Sequence, residues 1–315
     1  MAVAADLPVA EQTADLLAES RARAALVAYG RHWSDEAWQV VSCGEILRTP
    51  IVNPATRHRS RTFQFAASLT AVVADGARRA IVLPMATREA IEPPEAAFWQ
   101  RAVLEAFWHV APALTIDPAI SAVLLDVVRQ PEMRPRTTSR QVADRETWPD
   151  FERRVQHDML AEPSRYFQRR LITADAEALQ RHRAELWQTA VDLRLARQHG
   201  RHYRNSAACL VRGQACEYLP LCSGHASTGD ARWVDVDALS AEIGQARTEA
   251  DATATLTPCR LHCFQLCRRK HFYRYELGFR DAERAAAEPR RFAALLVAGI
   301  TRRWNDKGRI TPAER

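Results

Sequence analysis

Over residues 9–33 apolar side chains recur at helical spacing, with Leu16, Leu17, Ala24, Leu26 and Val27 set among charges, and an amphipathic helix is predicted. From Trp38 to Val82 the pattern changes. WQVVSCGEILRTPI, TFQFAASLTAVVA and RRAIVLPM are β-rich runs, separated by NPATRHRS and by the turn pair Asp75-Gly76, which predicts an antiparallel meander. A helix is predicted from about Pro94 to Leu114, then an apolar strand, SAVLLDVVR, ending at Pro131. Helices follow over 148–161 and 175–199, with a short strand around RRLITA between them.

Residues 223–255 lose sustained periodicity and are rich in small and acidic residues, so they read as a linker. After it, LTPCRLHCFQLCRRKHFYRYELGFR carries an aromatic-basic helical pattern and AERAAAEPRRFAALLVAGITRRW predicts a last helix. The domain reading is therefore 1–222 as the main body, 223–255 as linker, and 256–315 as a tail packed back on the same domain. No internal repeat is visible.

The chain has 315 residues, 47% of them hydrophobic, enough for one large domain or two small ones. The start, MAVAADLPVAEQ, is interrupted by Asp6, Pro8 and Glu11 and does not read as a secretory segment, and no apolar run approaches a membrane span. A cytoplasmic protein is expected. The net charge is +6, and almost all of the 44 basic residues are arginine, which pairs bidentately with phosphate. This charge suits a nucleic-acid partner, although +6 on a chain of this size is modest.

The seven cysteines bear most directly on chemistry. In a reducing compartment clustered cysteines bind metal or do redox work more often than they form disulfides. Cys209, Cys216 and Cys222 lie in NSAACLVRGQACEYLPLC, with gaps of six and five residues, and Cys267 is the best fourth ligand from the tail, with Cys263 the alternative. Three thiolates on an irregular loop and a fourth from a distant helix suit an iron–sulfur cluster. Zinc is the other candidate, since four thiolates also make a closed tetrahedral site, but these gaps are wider than the usual zinc knuckles. Cys43, Cys259 and Cys263 read as buried thiols outside the metal site.

The stretches GEILRTPIVNPATRHRSRTFQF, FWQRAVLEAFWHV, LLDVVRQPEMRP, RYFQRRLI, NSAAC with EYLPLC, and LTPCRLHCFQLCRRKHFYRYELGFR together resemble the RecB-like branch of the PD-(D/E)XK nucleases, in particular iron–sulfur-containing phage and bacterial exonuclease-like members. The resemblance covers most of the chain. It implies an α/β fold with a central mixed sheet flanked by helices, a restriction-endonuclease-like core, and a [4Fe–4S] cluster on Cys209, Cys216, Cys222 and Cys267. It also aligns Cys267, rather than Cys263, with the family's ligand. The order departs from the family: the segment that opens the family's domain stands last here. A circular permutation accounts for this, because linker 223–255 can join ends that the cluster already holds together; the alternative is a tail that begins a truncated second copy.

The resemblance also implies what has been lost. The family's metal-binding carboxylate positions fall at Thr70 and Leu83, its lysine at Met85, the residues that follow on the helix at Phe107 and Ala111, and a metal-associated histidine at Val297. None of these can hold Mg²⁺ or activate water. The expectation is a catalytically inactive pseudo-nuclease that binds DNA or a protein partner, with no Mg²⁺ site; the alternative is an active metal-dependent DNA nuclease with a relocated site. Substitute acids for that alternative are Glu45, Glu89, Glu92, Glu105 with His109, and Asp126. In the tail, Arg268, Arg269, Lys270 and Arg274 are candidate phosphate contacts, with His271, Phe272, Tyr273 and Tyr275 interleaved; the competing reading packs the aromatics around the cluster.

Overall fold

A computed structural model describes residues 14–35, 37–76, 78–93, 96–113, 119–136, 146–173, 175–211, 214–236, 255–287 and 291–309. Helix α1 spans Ala14–His32; the start of the predicted helix, 9–13, lies outside the described residues. The β-rich region does not form one meander. The first run breaks at Gly44 (φ 68°) into β1 (Gln39–Cys43) and β2 (Ile46–Val52), and the second breaks at Leu69-Thr70 into β3 (Arg59–Ser68) and β4 (Ala71–Asp75). At the break the two chains stay paired: Gly44 N–H donates to Thr70 O at 3.3 Å and Leu69 N–H to Glu45 O at 2.8 Å. Both runs therefore switch sheets together.

The main sheet is mixed, with order β1-β4-β5-β6-β7, where β5 is Arg78–Thr87, β6 is Ile120–Arg129 and β7 is Phe167–Thr173. The Asp75-Gly76 signal marks the tight β4–β5 hairpin, with Gly76 at φ 60°. Strands β5 and β6 are parallel, so the chain crosses over through α2 (Ala97–Ala113). Alternation along β6 sorts the two faces. Leu124 and Val128 face α1, α3 (Trp148–Ala161) and α10 (Phe292–Arg309), where Phe151, Val155, Leu296, Ile300 and Trp304 are buried. Val123, Leu125 and Val127 face α2, where Phe98, Trp99, Ala102 and Ala106 are buried.

A second sheet, β11-β3-β2, has β11 (Thr255–Leu256) parallel to β3. Its apolar side packs on α5 (Ala176–Gln198) and α7 (Pro258–Leu266) through Phe63, Phe65, Leu186, Leu193, Leu261 and Phe264. Helix α4 (Pro163–Tyr166) is a single turn leading into β7. Starts are set by side-chain caps: Thr147 accepts from Asp150 N, Asp175 from Ala178 N, and Thr257 from Arg260 N, with proline in the first turn of α3 and α7.

The stretch read as a linker is ordered over 223–236. Strand β10 (Trp233–Asp235) pairs with β12 (Phe279–Asp281), and Trp233 stacks on Tyr218 with ring centroids 5.8 Å apart. Arg232 adds an ion pair with Asp281 at 2.6 Å, so strand pairing, charge and ring stacking together hold a segment whose composition resembles a linker; its remainder, 237–254, lies outside the described residues. Among the described residues no helix is long and apolar enough to cross a membrane.

Candidate metal centre

Cys209, Cys216 and Cys222 sit on a compact loop between α5 and β10. Asn205 caps a short 3₁₀ turn, Cys209 N–H donates to Ser206 O, and Cys216 N–H donates to Cys209 O at 2.8 Å across the two-residue strands β8 (Leu210–Val211) and β9 (Gln214–Ala215). Helix α6 (Leu219–Ser223) then presents Cys222, whose N–H donates to Tyr218 O at 2.9 Å.

The tail reaches this loop through several contacts. Asn205 Nδ2 donates to Leu266 O at 2.8 Å, Arg269 N–H to Tyr203 O at 3.1 Å, and Tyr218 O–H to Phe279 O at 2.6 Å. His202 stacks on Phe272 at 4.4 Å, and the buried pair Arg280–Glu217 closes at 3.2 Å. Cys267 lies between α7 and α8 (Arg268–His271) with extended backbone, φ −160° and ψ 113°, so the expected continuous helix is broken at the ligand position. A π-helical turn, Phe272–Glu276, follows. Helix α9 (Ala282–Ala287) leads toward α10.

These contacts bring Cys267 of the tail, with Cys209 and Cys216, into the surroundings of Cys222. Burial pushes the Cys222 thiol up, and Cys216, Cys267 and Cys209 raise it further. Burial also pushes up Cys216, against the opposing pull of the Tyr218 backbone N–H and of Lys270. A loaded metal would draw these protons off as it bound. No group of three or more His, Cys, Asp or Glu side chains among the described residues stands close enough to enclose one ion. Of the three cysteines read as buried outsiders, only Cys263 is buried; Cys43 is half-buried against the main core and Cys259 is exposed. All seven are unbridged.

The chain matches no protein-family model, no curated protein and no solved structure.

Arg268, Arg269, Lys270 and Arg274, the candidate phosphate contacts, are all half-buried. Arg268 lies over Tyr203 and Phe264 and pairs with Asp192 at 3.4 Å; Arg269 lies near Tyr273, and Arg274 over Tyr275. A cavity of about 390 Å³ opens beside Cys267, with Tyr203, Arg204, Gln265 and Arg268 in its wall. The sequence reading missed a buried polar cluster next to it. Arg260, only 1% exposed, donates to Thr255 O at 2.8 Å, to His271 Nε2 at 3.3 Å and to Glu276 Oε1 at 3.2 Å, while Arg197 donates to the same Glu276 oxygen at 2.7 Å. Burial, and then Arg197, lower Arg260 to about 10; burial, and then Arg260, hold His271 well below the ordinary imidazole value. Nothing in the one-dimensional pattern separates Arg260 from solvent-facing arginines.

Of the positions aligned with a nuclease site, Leu83, Met85 and Phe107 are apolar in place as well as in type. Thr70 lies in the bend before β4, half-buried. Leu83 and Met85, two apart on β5, and Phe107 on α2 pack against the same apolar cluster. The side chain of Ala111 lies outside the described residues, and Val297 is half-buried on α10, which covers the opposite face of the sheet. The substitute acids do not assemble. Glu45 and Glu92 are exposed, Glu89 and Glu105 pair with Arg101 at 3.0 and 3.5 Å, and the side chain of His109 lies outside the described residues. Asp126, close to this site in sequence, is turned to the other face: it accepts from Tyr29, from Arg169 Nε at 3.1 Å and from Trp304 Nε1 at 3.3 Å. Strand alternation separates it from Leu83 and Met85, because its neighbour in register is Pro84.

Proposed function

We propose that this chain is a circularly permuted, catalytically inactive RecB-like PD-(D/E)XK protein of the cytoplasm that binds DNA and is stapled by a [4Fe–4S] cluster on Cys209, Cys216, Cys222 and Cys267. One observation carries the reading: the Cys222 thiol on the loop is pushed up by burial and then by Cys216, by Cys267 from the tail, and by Cys209. The donor set fits the cofactor, since thiolates on separate segments each take one corner of such a cluster. When bound, the cluster supplies a covalent tie rather than chemistry on substrate. The chain's own residues do the rest: Asn205, Tyr218 and Glu217 hold the tail, and Trp233 and Tyr273 cover the thiols with an apolar shell.

The inactive reading is supported by Leu83, Met85 and Phe107 sharing apolar packing where metal-binding groups would have to converge. Permutation is supported by the packing of α10 on α1, where Arg303 donates to Trp33 O at 3.0 Å. The test is purification without oxygen, followed by iron and sulfide analysis, absorption spectroscopy, and incubation with single- and double-stranded DNA in Mg²⁺ or Mn²⁺. Brown protein absorbing near ~400 nm, with no cleavage, is the expected result. Colourless protein with stoichiometric zinc replaces the cluster but keeps the staple; metal-dependent cleavage overturns the inactive assignment.

A further inference from the structure

A cluster of cations lies away from the tail. Between Glu45 and Asp75 the chain contains no acidic residue, yet it carries Arg57, His58, Arg59 and Arg61 around one hairpin turn. All four are exposed, and among the described residues no carboxylate forms an ion pair with any of the three arginines. In an ordinary solvated surface, charges of both signs are interspersed. Here a run of one sign is presented alone.

The turn that presents them is internally fixed. Asn53 N–H donates to His58 O at 2.8 Å, Arg57 N–H donates to Asn53 O at 2.9 Å, and the Asn53 carboxamide oxygen accepts from Ala55 N and Thr56 N. Arg57 adopts φ 61° to close it, and Ser60 Oγ accepts from Thr62 N and Phe63 N at the start of β3. The base of the ribbon is anchored by Ile51, Phe63 and Phe65 in the core. The arm is therefore a preorganised two-stranded ribbon whose cationic end extends beyond its apolar base.

We propose that the β2–β3 hairpin is a phosphate-contacting arm for duplex DNA, with Arg57, Arg59 and Arg61 as the contacts. The proposal rests on the DNA-binding reading above. The geometry agrees: Arg57 closes the turn, and Arg59 and Arg61 follow it on the part of β3 where the pairing with β2 slips register between Pro50 and Val52, so all three cations are presented at the exposed end of the hairpin. The major groove of duplex DNA admits a two-stranded ribbon, whereas a single strand offers no such groove. The half-buried Arg268, Arg269, Lys270 and Arg274 then act mainly as packing and counter-charge around the cysteines, with the hairpin as the exposed contact surface.

The experiment measures binding of a fluorescein-labelled, mixed-sequence duplex of two helical turns by anisotropy, over a series of KCl concentrations. It compares the intact chain with two variants, Arg57→Gln/Arg59→Gln/Arg61→Gln and the same three positions changed to lysine. Each lost phosphate contact flattens the plot of log affinity against log salt by about 0.9, so the glutamine variant should lose about 2.7 from the slope while the lysine variant keeps most of it. Because the three side chains are exposed, both variants should melt with the intact chain. An unchanged slope in the glutamine variant overturns the arm and leaves DNA binding standing. Binding of a single strand but not the duplex also overturns it. No DNA binding by the intact chain overturns both readings.

Discussion

Trp304 donates its indole N–H to Oδ2 of Asp126 at 3.3 Å, so the last helix is hydrogen-bonded to a central strand of the sheet. The carboxylate also takes Arg169 at 3.1 Å and the Tyr29 hydroxyl, and Arg169 in turn lies 4.0 Å from the Trp33 ring centroid. Four elements, α1, β6, β7 and α10, thus meet on one buried charge. Burial, and then the Asp126 charge, push the Tyr29 phenol well above its ordinary value, so it stays a donor. Asp126→Ala would leave the Arg169 guanidinium buried without its acid, and loss of about 3–5 kcal/mol is expected from urea denaturation. Asp126→Leu with Arg169→Met should lose markedly less. Equal losses in the two variants would contradict this account.

The tail is as integral to the core as the network suggests. Leu296, Ile300 and Trp304 are buried on the sheet face, and Leu256 and Leu261 complete the second sheet's core. Deleting residues 256–315 should give insoluble protein, because two apolar faces are uncovered at once. A soluble, cooperatively melting 1–255 fragment would instead show that the tail is an appendage.

Single-cysteine changes separate ligands from bystanders. Cys267→Ser should abolish absorption near ~400 nm and lower the melting temperature, since metal binding free energy is folding free energy. Cys259→Ser, at an exposed site on the first turn of α7, should change neither. Retained colour in Cys267→Ser together with loss in Cys263→Ser would move the fourth ligand one turn back.

Individual elements were more legible than their partnerships. The 148–161 helix was read to the residue, because Thr147, Pro149 and an amphipathic stripe all mark its start and face. The strands were also visible as apolar runs. What the period could not tell was which strands pair: the joint crossing at Gly44 and Thr70 divides two runs between two sheets, and both halves of each run are equally β-like. At the candidate site the cysteine spacing was legible and the surroundings were not. The linker-like 223–236 is ordered by the β10–β12 pairing, the Arg232–Asp281 ion pair and the stack of Trp233 on Tyr218, the helix breaks at Cys267, and arginines 268, 269 and 274 read the same whether half-buried or solvated.

One ion pair gives a pH-dependent test. Burial raises the Glu146 carboxyl, but hydrogen bonds from Arg154 and from the Arg136 backbone N–H outweigh it, and the net shift is downward. A carboxylate whose folded value lies below its unfolded value of about 4.3 adds stability that is complete above that value. It is lost as pH falls through the lower, folded value. The stability difference between the intact chain and Glu146→Gln should therefore be steady from neutral pH to about 5 and shrink below about 4. A difference that grows on acidification would contradict the sign of the shift.

The same logic, applied to the apolar site on β5, separates a dismantled nuclease from a disguised one. Leu83 and Met85 pack with Phe107, so Leu83→Glu places a carboxyl group against apolar neighbours, at a cost of about 1–3 kcal/mol in its neutral form and more when ionised. In the Thr70→Asp/Leu83→Glu/Met85→Lys triple variant, opposite charges and a site for Mg²⁺ return together. Added MgCl₂ should raise the melting temperature of the triple variant and leave that of the intact chain unchanged, because only the former binds the ion. Stabilisation of developing charge is worth tenfold in rate per ~1.4 kcal/mol, so its absence should leave the intact chain without measurable phosphodiester cleavage. Cleavage by the intact chain that disappears in Glu45→Ala or Glu105→Ala would show that the carboxylates have been relocated, and the inactive assignment would be withdrawn.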